Sequence, residues 1–345
     1  MLAARLTAIG TPPTVVDVPV PEPGPGEVRV AVRACGLCGS DVHVVHGITP
    51  SGPLPLTLGH EASGVTDDGR RVAIAAGWGC GSCPACRAGA ENRCPDVVIP
   101  GIHRDGAQAE YVVVPERALV PLPDSVDFAT GAILTDAVST PWHAIKRAGV
   151  EPGDTVAVFG LGGLGLHAVT LLSAVVGARV VGVDRYAGAL DRARSFGAAE
   201  VVDAADGKPA RAVRALTGGV DHAFEFVGSA AVVDQAVKSL RPGGTCTVVG
   251  ITPEPLGLLP QALFVASELR VQGSFGCDRS DLAELVALVA GGTLDLAGTI
   301  THSYRLADFA EAFRVLETKE GDPIRVVVGR FVTDGQTTHR PDRLA

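Results

Sequence analysis

The sequence predicts an α/β protein: a doubly wound parallel sheet that follows a β-rich segment. Three observations support this. The middle of the chain alternates β-branched apolar runs with amphipathic stretches of helical length. A glycine-rich turn, Gly160-Leu161-Gly162-Gly163-Leu164-Gly165, stands at the first of these strand–helix junctions. Up to about Val138, by contrast, the chain is rich in Pro and Gly and holds only short β-prone runs such as Glu27–Val32 and Tyr111–Val114.

In order, the middle reads as strand Thr155–Phe159, helix Leu164–Val176, strand Arg179–Asp184, helix Ala187–Phe196 and strand Glu200–Val202. The alternation continues through Val220–Val227, Ala230–Leu240, Thr245–Val249 and Leu269–Gly273. The last part, Leu282–Phe331, reads as a helix, a strand Thr299–Tyr304, a helix Leu306–Leu316 and a closing strand Arg325–Val328. A polar, loose tail is expected after Phe331.

A chain of 345 residues can bury two cores of ordinary size. Its 43 glycines signal tight turns rather than disorder, because 46% of the residues are hydrophobic. A formal charge of −9 gives no basic footprint for nucleic acid or an anionic membrane. Val156–Ala178 is uncharged and long enough to span a bilayer. Its glycines after a β-branched run suit a strand, a turn and a buried helix better. The start of the chain lacks the apolar core of a signal peptide, and a cytoplasmic location is expected. Eight cysteines could form disulfides, but four stand at metal-ligand spacing, which favours reduced thiolates.

The glycine-rich turn suits a dinucleotide. Gly160 permits the tight turn, Gly162 lets the backbone approach a pyrophosphate, and Gly165 allows close helix–strand packing. Gly163 and Leu164 open the helix whose free N–H groups and dipole attract phosphate. Asp184 ends the next strand, close to the spacing of about 20 residues at which an acid binds the ribose hydroxyls. Its charge repels a 2′-phosphate and favours NAD over NADP, against which the neighbouring Arg185 weighs.

Two sets of metal donors are visible. Cys80, Cys83, Cys86 and Cys94 place four thiolates in one short loop, the pattern of a closed structural zinc site. An iron–sulfur cluster is the alternative from cysteine count alone. The second set is dispersed: Cys38, Ser40, Asp41 and His43 in one run, His60 and Glu61 after Gly59, and Asp136 far downstream. A catalytic zinc needs three protein ligands and an open position, and spacing alone does not assemble these residues. Taken singly, Cys38 or His60 reads as a buried structural residue and His43 as a solvated one.

Cys35-Gly-Leu-Cys-Gly-Ser-Asp-Val-His43, Gly59-His-Glu61, the four-cysteine lobe, Ser139-Thr140, the glycine turn with Asp184, and Ile324-Arg325 occur in that order. In these stretches the chain resembles the zinc-containing medium-chain dehydrogenases/reductases, alcohol dehydrogenase branch, over almost its whole length. The resemblance implies a GroES-like, β-rich catalytic domain at residues 1–138, with its zinc lobe at 77–96. A Rossmann NAD-binding domain then spans 139–275, and 276–345 returns to the catalytic domain.

The resemblance also implies roles. Cys38, His60 and Asp136 correspond to ligands of a catalytic zinc, with Asp136 where many members carry a cysteine; the carboxylate keeps the charge and hardens the donor set. Glu61 corresponds to a carboxylate near the metal, and Asp41 to a partner that orients His60. Ser40 and His43 correspond to a proton relay through the nicotinamide ribose, Thr140 to a residue behind the nicotinamide and Arg325 to a pyrophosphate contact. Cys35 has no ligand role and is left as a buried thiol.

The expected activity is interconversion of an alcohol, secondary or bulky, and its aldehyde or ketone by hydride transfer, by a homodimer or homotetramer carrying two zinc ions and NAD per chain. Subunits are expected to pair through an edge strand near Cys246–Val249. The stretch Gly64–Val72 is shorter than the hairpin usual after the Gly-His-Glu motif. A pocket-lining position, often bulky, corresponds to Ala76, with Trp78 and Trp142 near in sequence, so a wide pocket for secondary or bulky alcohols is expected. The rivals are a zinc-free reductase of activated double bonds or quinones on the same fold, and a non-catalytic family member.

Overall fold

The computed structural model describes residues 1–257 and 260–329; the tail expected after Phe331 lies outside the described residues. Two compact units emerge, one formed by Met1–Ser139 with the chain from Gly276 onward, the other by Thr140–Phe275.

The second unit is built on one parallel sheet. Its strands are Thr155–Phe159, Arg179–Asp184, Glu200–Asp203, Val220–Glu225, Leu240–Val248 and Arg270–Gly273. Counted along the chain within this unit, they lie side by side in the order 3-2-1-4-5-6, the doubly wound arrangement of dinucleotide-binding sheets. Val156, Val158, Val180 and Val181 are fully buried, as strands covered on both faces require. Phe159, Val183, Val213, Val233 and Val237 fill the core between sheet and helices.

The uncharged stretch Val156–Ala178 resolves into a strand, the glycine turn, helix Gly163–Thr170 and a π-helical segment Leu171–Val176. Gly177, in the left-handed region at φ 80°, ends it. Among the described residues no helix is long and apolar enough to cross a membrane. The expected helix Leu164–Val176 is thus π-helical, with i→i+5 bonding, in its second half.

The expectation of an edge strand near Cys246–Val249 is corrected. Cys246 pairs with Ala223 on one side and with Val271 on the other, so this strand is interior. Arg270–Gly273 forms the edge, because that short β-prone run adds one further parallel strand.

The first unit is organised by the long strand Glu27–Leu37. It pairs antiparallel with Glu61–Thr66, Tyr111–Pro115 and Arg325–Gly329, so strands from before and after the sheet unit meet on it. Ile300–Tyr304 extends the sheet beyond Arg325–Gly329, and Arg71–Ile74 with Leu119–Pro121 extends it on the other side. The short stretch Gly64–Val72 closes as a complete hairpin: the Thr66 amide donates to Arg70 O at 3.0 Å, and the Gly69 amide to Thr66 O at 2.9 Å. Trp78 is 4% exposed and packs with Val30, Val112, Val114 and Ile74. It is a core residue, worth about 1.5–3 kcal/mol or more in burial, while Ala76 is half-buried.

Candidate functional site

Sheet register assembles the dispersed donors. Gly36 pairs with Glu61 and Cys35 with Ala62, so the end of the long strand delivers Cys38 beside His60. Space for this is specific: a Cβ on Gly36 would collide with the Glu61 carboxylate. Cys38 then caps helix Gly39–Val45, and its amide donates to Asp41 Oδ2 at 2.9 Å. Asp136 arrives on a π-helical turn, Leu134–Val138, that follows helix Phe128–Ile133. Such turns re-aim a side chain relative to an α-helix and recur at functional sites.

The result is a compact group. Donor atoms of Cys38, His60, Glu61 and Asp136 all lie within 4.8 Å of one another. Asp136 Oδ2 is 3.5 Å from Cys38 Sγ and 3.6 Å from His60 Nε2. Asp41 Oδ1 stands 3.8 Å from His60 Nδ1, beside the ring but beyond hydrogen-bond range. Ser40 Oγ lies 3.6 Å from Cys38 Sγ, and His43 is half-buried on the same helix. Arg325 is buried, forms an ion pair with Glu61 and donates to Leu37 O at 3.0 Å.

The electrostatics of this group call for a cation. Burial raises the Cys38 thiol, and the Asp136 charge adds to it. Burial lifts Glu61 to about 7 against the opposing pull of Arg325. Burial alone would keep His60 neutral, yet Asp136, Cys38 and Asp41 together hold its pKa well above the usual value. Burial also raises Asp41. Four buried or half-buried acids therefore share one buried guanidinium, and Asp41 Oδ1, His60 Nδ1 and Glu61 Oε1 have no hydrogen-bond partner among the described residues. A divalent ion with nitrogen, sulfur and oxygen donors fits such a set. Burial, then the charge of His46, lowers the pKa of His43 and keeps its ring neutral near pH 7.

The second cluster is local. Sγ separations are 3.5 Å for Cys83–Cys86, 3.8 Å for Cys83–Cys94 and 4.0 Å for Cys80–Cys86. Tetrahedral zinc with bonds of about 2.3 Å requires sulfurs about 3.8 Å apart, so the spacing fits. Backbone amides of Cys80, Cys83, Cys86 and Asp96 donate to these sulfurs at 3.3–3.4 Å, which favours thiolates.

In the sheet unit, Gly160 adopts φ 88°, and a Cβ on Gly165 would collide with the Gly160 carbonyl, so the turn holds only with glycine at both positions. Asp184 braces this turn: Oδ2 accepts from the Leu161 amide at 2.7 Å, and Oδ1 from the Arg185 and Tyr186 amides at 2.7 and 3.1 Å. Arg185 and Tyr186 are exposed beside it, the guanidinium over the ring. Gly162 and Leu164 flank Gly163 at the helix start, and Thr140 is buried.

Two contributors escape sequence reasoning. Glu225 is fully buried at the carboxyl end of its strand, and Oε1 accepts from the Val227 and Gly228 amides, each at 2.8 Å. That turn packs on Gly160, since a Cβ there would meet Val227 Cγ2 at 2.6 Å. The other is Cys277, whose Sγ accepts from Ser139 Oγ at 3.1 Å. An acid ending a strand before a Val-Gly pair was the available signal for the first; the second carries no motif.

Comparison with known proteins agrees with this geometry. Residues 24–124 match the model of the alcohol dehydrogenase GroES-like domain, and residues 163–291 that of the zinc-binding dehydrogenase. An alcohol dehydrogenase of Geobacillus stearothermophilus is 34% identical over 308 residues, covering 85% of this chain and 90% of the relative. D-xylulose reductase A of Aspergillus niger is 32% identical over 333 residues, 90% of this chain and 92% of the relative. The crystal structure of the alcohol dehydrogenase from Aeropyrum pernix, 32% identical, superposes with a TM-score of 0.86 over 96% of this chain and 100% of that one. The chain belongs to the zinc-type medium-chain dehydrogenase/reductase family, with a Rossmann sheet and a GroES-like domain. It is an oxidoreductase.

Proposed function

We propose that this protein is a zinc- and NAD-dependent oxidoreductase that interconverts a secondary or bulky alcohol and its ketone or aldehyde. The observation that carries the reading is the convergence of Cys38, His60 and Asp136, with Glu61, so that their donor atoms lie within 4.8 Å of one another and are short of positive charge. Zinc would supply Lewis acidity and NAD a hydride acceptor.

The residues divide the remaining work. Cys38, His60 and Asp136 hold the catalytic ion, while Cys80, Cys83, Cys86 and Cys94 hold a structural one. Arg325 keeps one oxygen of Glu61 occupied, leaving Oε1 free toward the donor group. Ser40 Oγ takes the hydroxyl proton, and the neutral ring of His43 accepts it for release to water. Gly160, Gly162, Gly163, Leu164 and Gly165 receive the pyrophosphate, with Arg325 and Thr140 as further cofactor contacts. The Asp184 carboxylate, set at its strand end by three amides, disfavours a 2′-phosphate and supports NAD.

Elemental analysis of the wild type and of Asp136→Ala tests the reading, alongside NAD-dependent oxidation of primary alcohols, secondary alcohols and polyols. Two zinc ions per chain falling to one, with turnover lost, is the expected result. One ion in the wild type, unchanged by the substitution, would overturn it.

A further inference from the structure

A groove of ≈ 650 Å³ in the first unit, separate from both donor clusters, is lined by four arginines: Arg70, Arg71, Arg117 and Arg279. This is unusual on a chain whose net charge is −9. Arg70 is spent: its nitrogens reach both Asp68 and Glu116. The other three are held differently. Each is anchored by a neutral main-chain carbonyl: Arg71 by Val126 O at 2.6 Å, Arg117 by Gly79 O at 2.5 Å and Arg279 by Leu119 O at 3.2 Å.

A carbonyl anchor fixes a guanidinium without neutralising it. Arg71 is further clamped, its carbon 4.0 Å from the centre of the Phe128 ring. Its one carboxylate partner, Asp124, is 96% exposed, and such a pair is weak in water. Among the described residues Arg117 and Arg279 meet no carboxylate, and only one nitrogen of each is engaged. Three pre-positioned forks thus keep N–H donors and charge to spare around one concavity. A held guanidinium loses less side-chain freedom on binding, and a fork matches the oxygens of phosphate.

We propose that this groove binds a phosphate group, as the free ion or as the monoester of a small metabolite, through Arg71, Arg117 and Arg279. Arg117 also ties Gly79, the residue before Cys80 in the four-cysteine lobe, so the ligand would brace that lobe against the sheet.

The test titrates inorganic phosphate, then a sugar phosphate and its uncharged parent sugar, into the zinc-loaded protein with NAD saturating. Binding is read by calorimetry and by the unfolding midpoint, with chloride at matched ionic strength as the blank. One saturable phosphate site is expected, weakened about tenfold or more in Arg117→Gln/Arg279→Gln and unchanged in Arg211→Gln, an exposed arginine of the sheet unit that does not line the groove. Basal turnover should stay unchanged in all three proteins. A sugar phosphate binding more tightly than phosphate, with the parent sugar silent, would identify the monoester; equal affinities would identify the free ion. Arg279→Lys, which keeps charge but loses the fork, should fall between wild type and the double variant. Equal phosphate affinity in wild type and double variant would overturn the proposal, as would a midpoint shift that chloride reproduces.

Discussion

Glu225→Ala should cost the sheet unit about 2–3 kcal/mol, and the structure says where that comes from. Two amides, Val227 and Gly228, lose their acceptor. A buried amide left unpaired costs about 1–3 kcal/mol, with the lower end apt here because Val227 is 53% exposed and water reaches the turn. Truncating the buried side chain adds about 1 kcal/mol of lost packing. Relief from burying a carboxylate offsets part of this. Glu225→Gln keeps an oxygen for the same amides and should cost under about 1 kcal/mol near neutral pH.

The pH dependence separates the two explanations of that difference. Burial raises the pKa of Glu225, and the amides of Gly228 and Val227 only partly counter it. The folded chain therefore keeps this proton at pH values where the unfolded chain has lost it. Stability falls as pH rises from the ordinary carboxylate range through the folded pKa, by at most about 1.4 kcal/mol per pH unit. Glutamine cannot titrate, so Glu225→Gln should gain on the wild type as pH rises above the ordinary carboxylate range. The assay is urea unfolding followed by tryptophan fluorescence in a Trp78→Phe background. The chain has two tryptophans, and Trp142 then reports the sheet unit alone. A loss under about 1 kcal/mol for the alanine variant would refute the reasoning, as would parallel pH profiles for glutamine and wild type.

Three further outcomes are expected. Cys86→Ser should remove one zinc per chain by elemental analysis and lower the unfolding midpoint of the first unit, because a closed thiolate site contributes folding energy directly; full zinc content would mean that the ion is held elsewhere. Gly36→Ala should destabilise the first unit by about 1–3 kcal/mol in thermal unfolding, since its Cβ meets a carboxylate pinned by Arg325; a neutral effect would show that Glu61 yields freely. Asp184→Ala should raise KM for NAD and shift the kcat/KM ratio toward NADP, by removing both the brace on Leu161 and the charge that opposes a 2′-phosphate; an unchanged ratio would assign cofactor choice to other residues.

Legibility in the sequence followed how local each feature is. The glycine turn and the four-cysteine lobe are readable because a few residues of chain bring their own atoms together. Most strand positions in the sheet unit were readable for the same reason, since apolar periodicity is local, whereas helices Pro209–Thr217 and Gln261–Ala266 were not read. The position of Cys246–Val249 in the sheet was not, because which strand lies outermost depends on a later, four-residue strand, Arg270–Gly273, joining beyond it. Nor was the fate of Trp78: a tryptophan near a pocket-lining position in sequence points, two residues on, into the core behind the sheet.

The dispersed donors mark the boundary of what pattern can do. Cys38, His60 and Asp136 come from three elements, and the resemblance to a family, not their spacing, joined them. The physical join is the Gly36–Glu61 pairing: slipping that register by one residue would turn Glu61 to the opposite face and carry His60 away from Cys38. Gly36 protects the register by admitting the carboxylate, and Arg325, delivered from the far end of the chain, gives that carboxylate a reason to stay buried. Asp136 needs a second device, the π-helical turn, because a regular continuation of helix Phe128–Ile133 would rotate it onto a different face. Its carboxylate therefore reaches the donor group through backbone geometry that no residue preference announces. The same structure that hides the site from sequence reasoning makes Gly36 and Arg325, rather than the ligands alone, the positions whose loss should disassemble it.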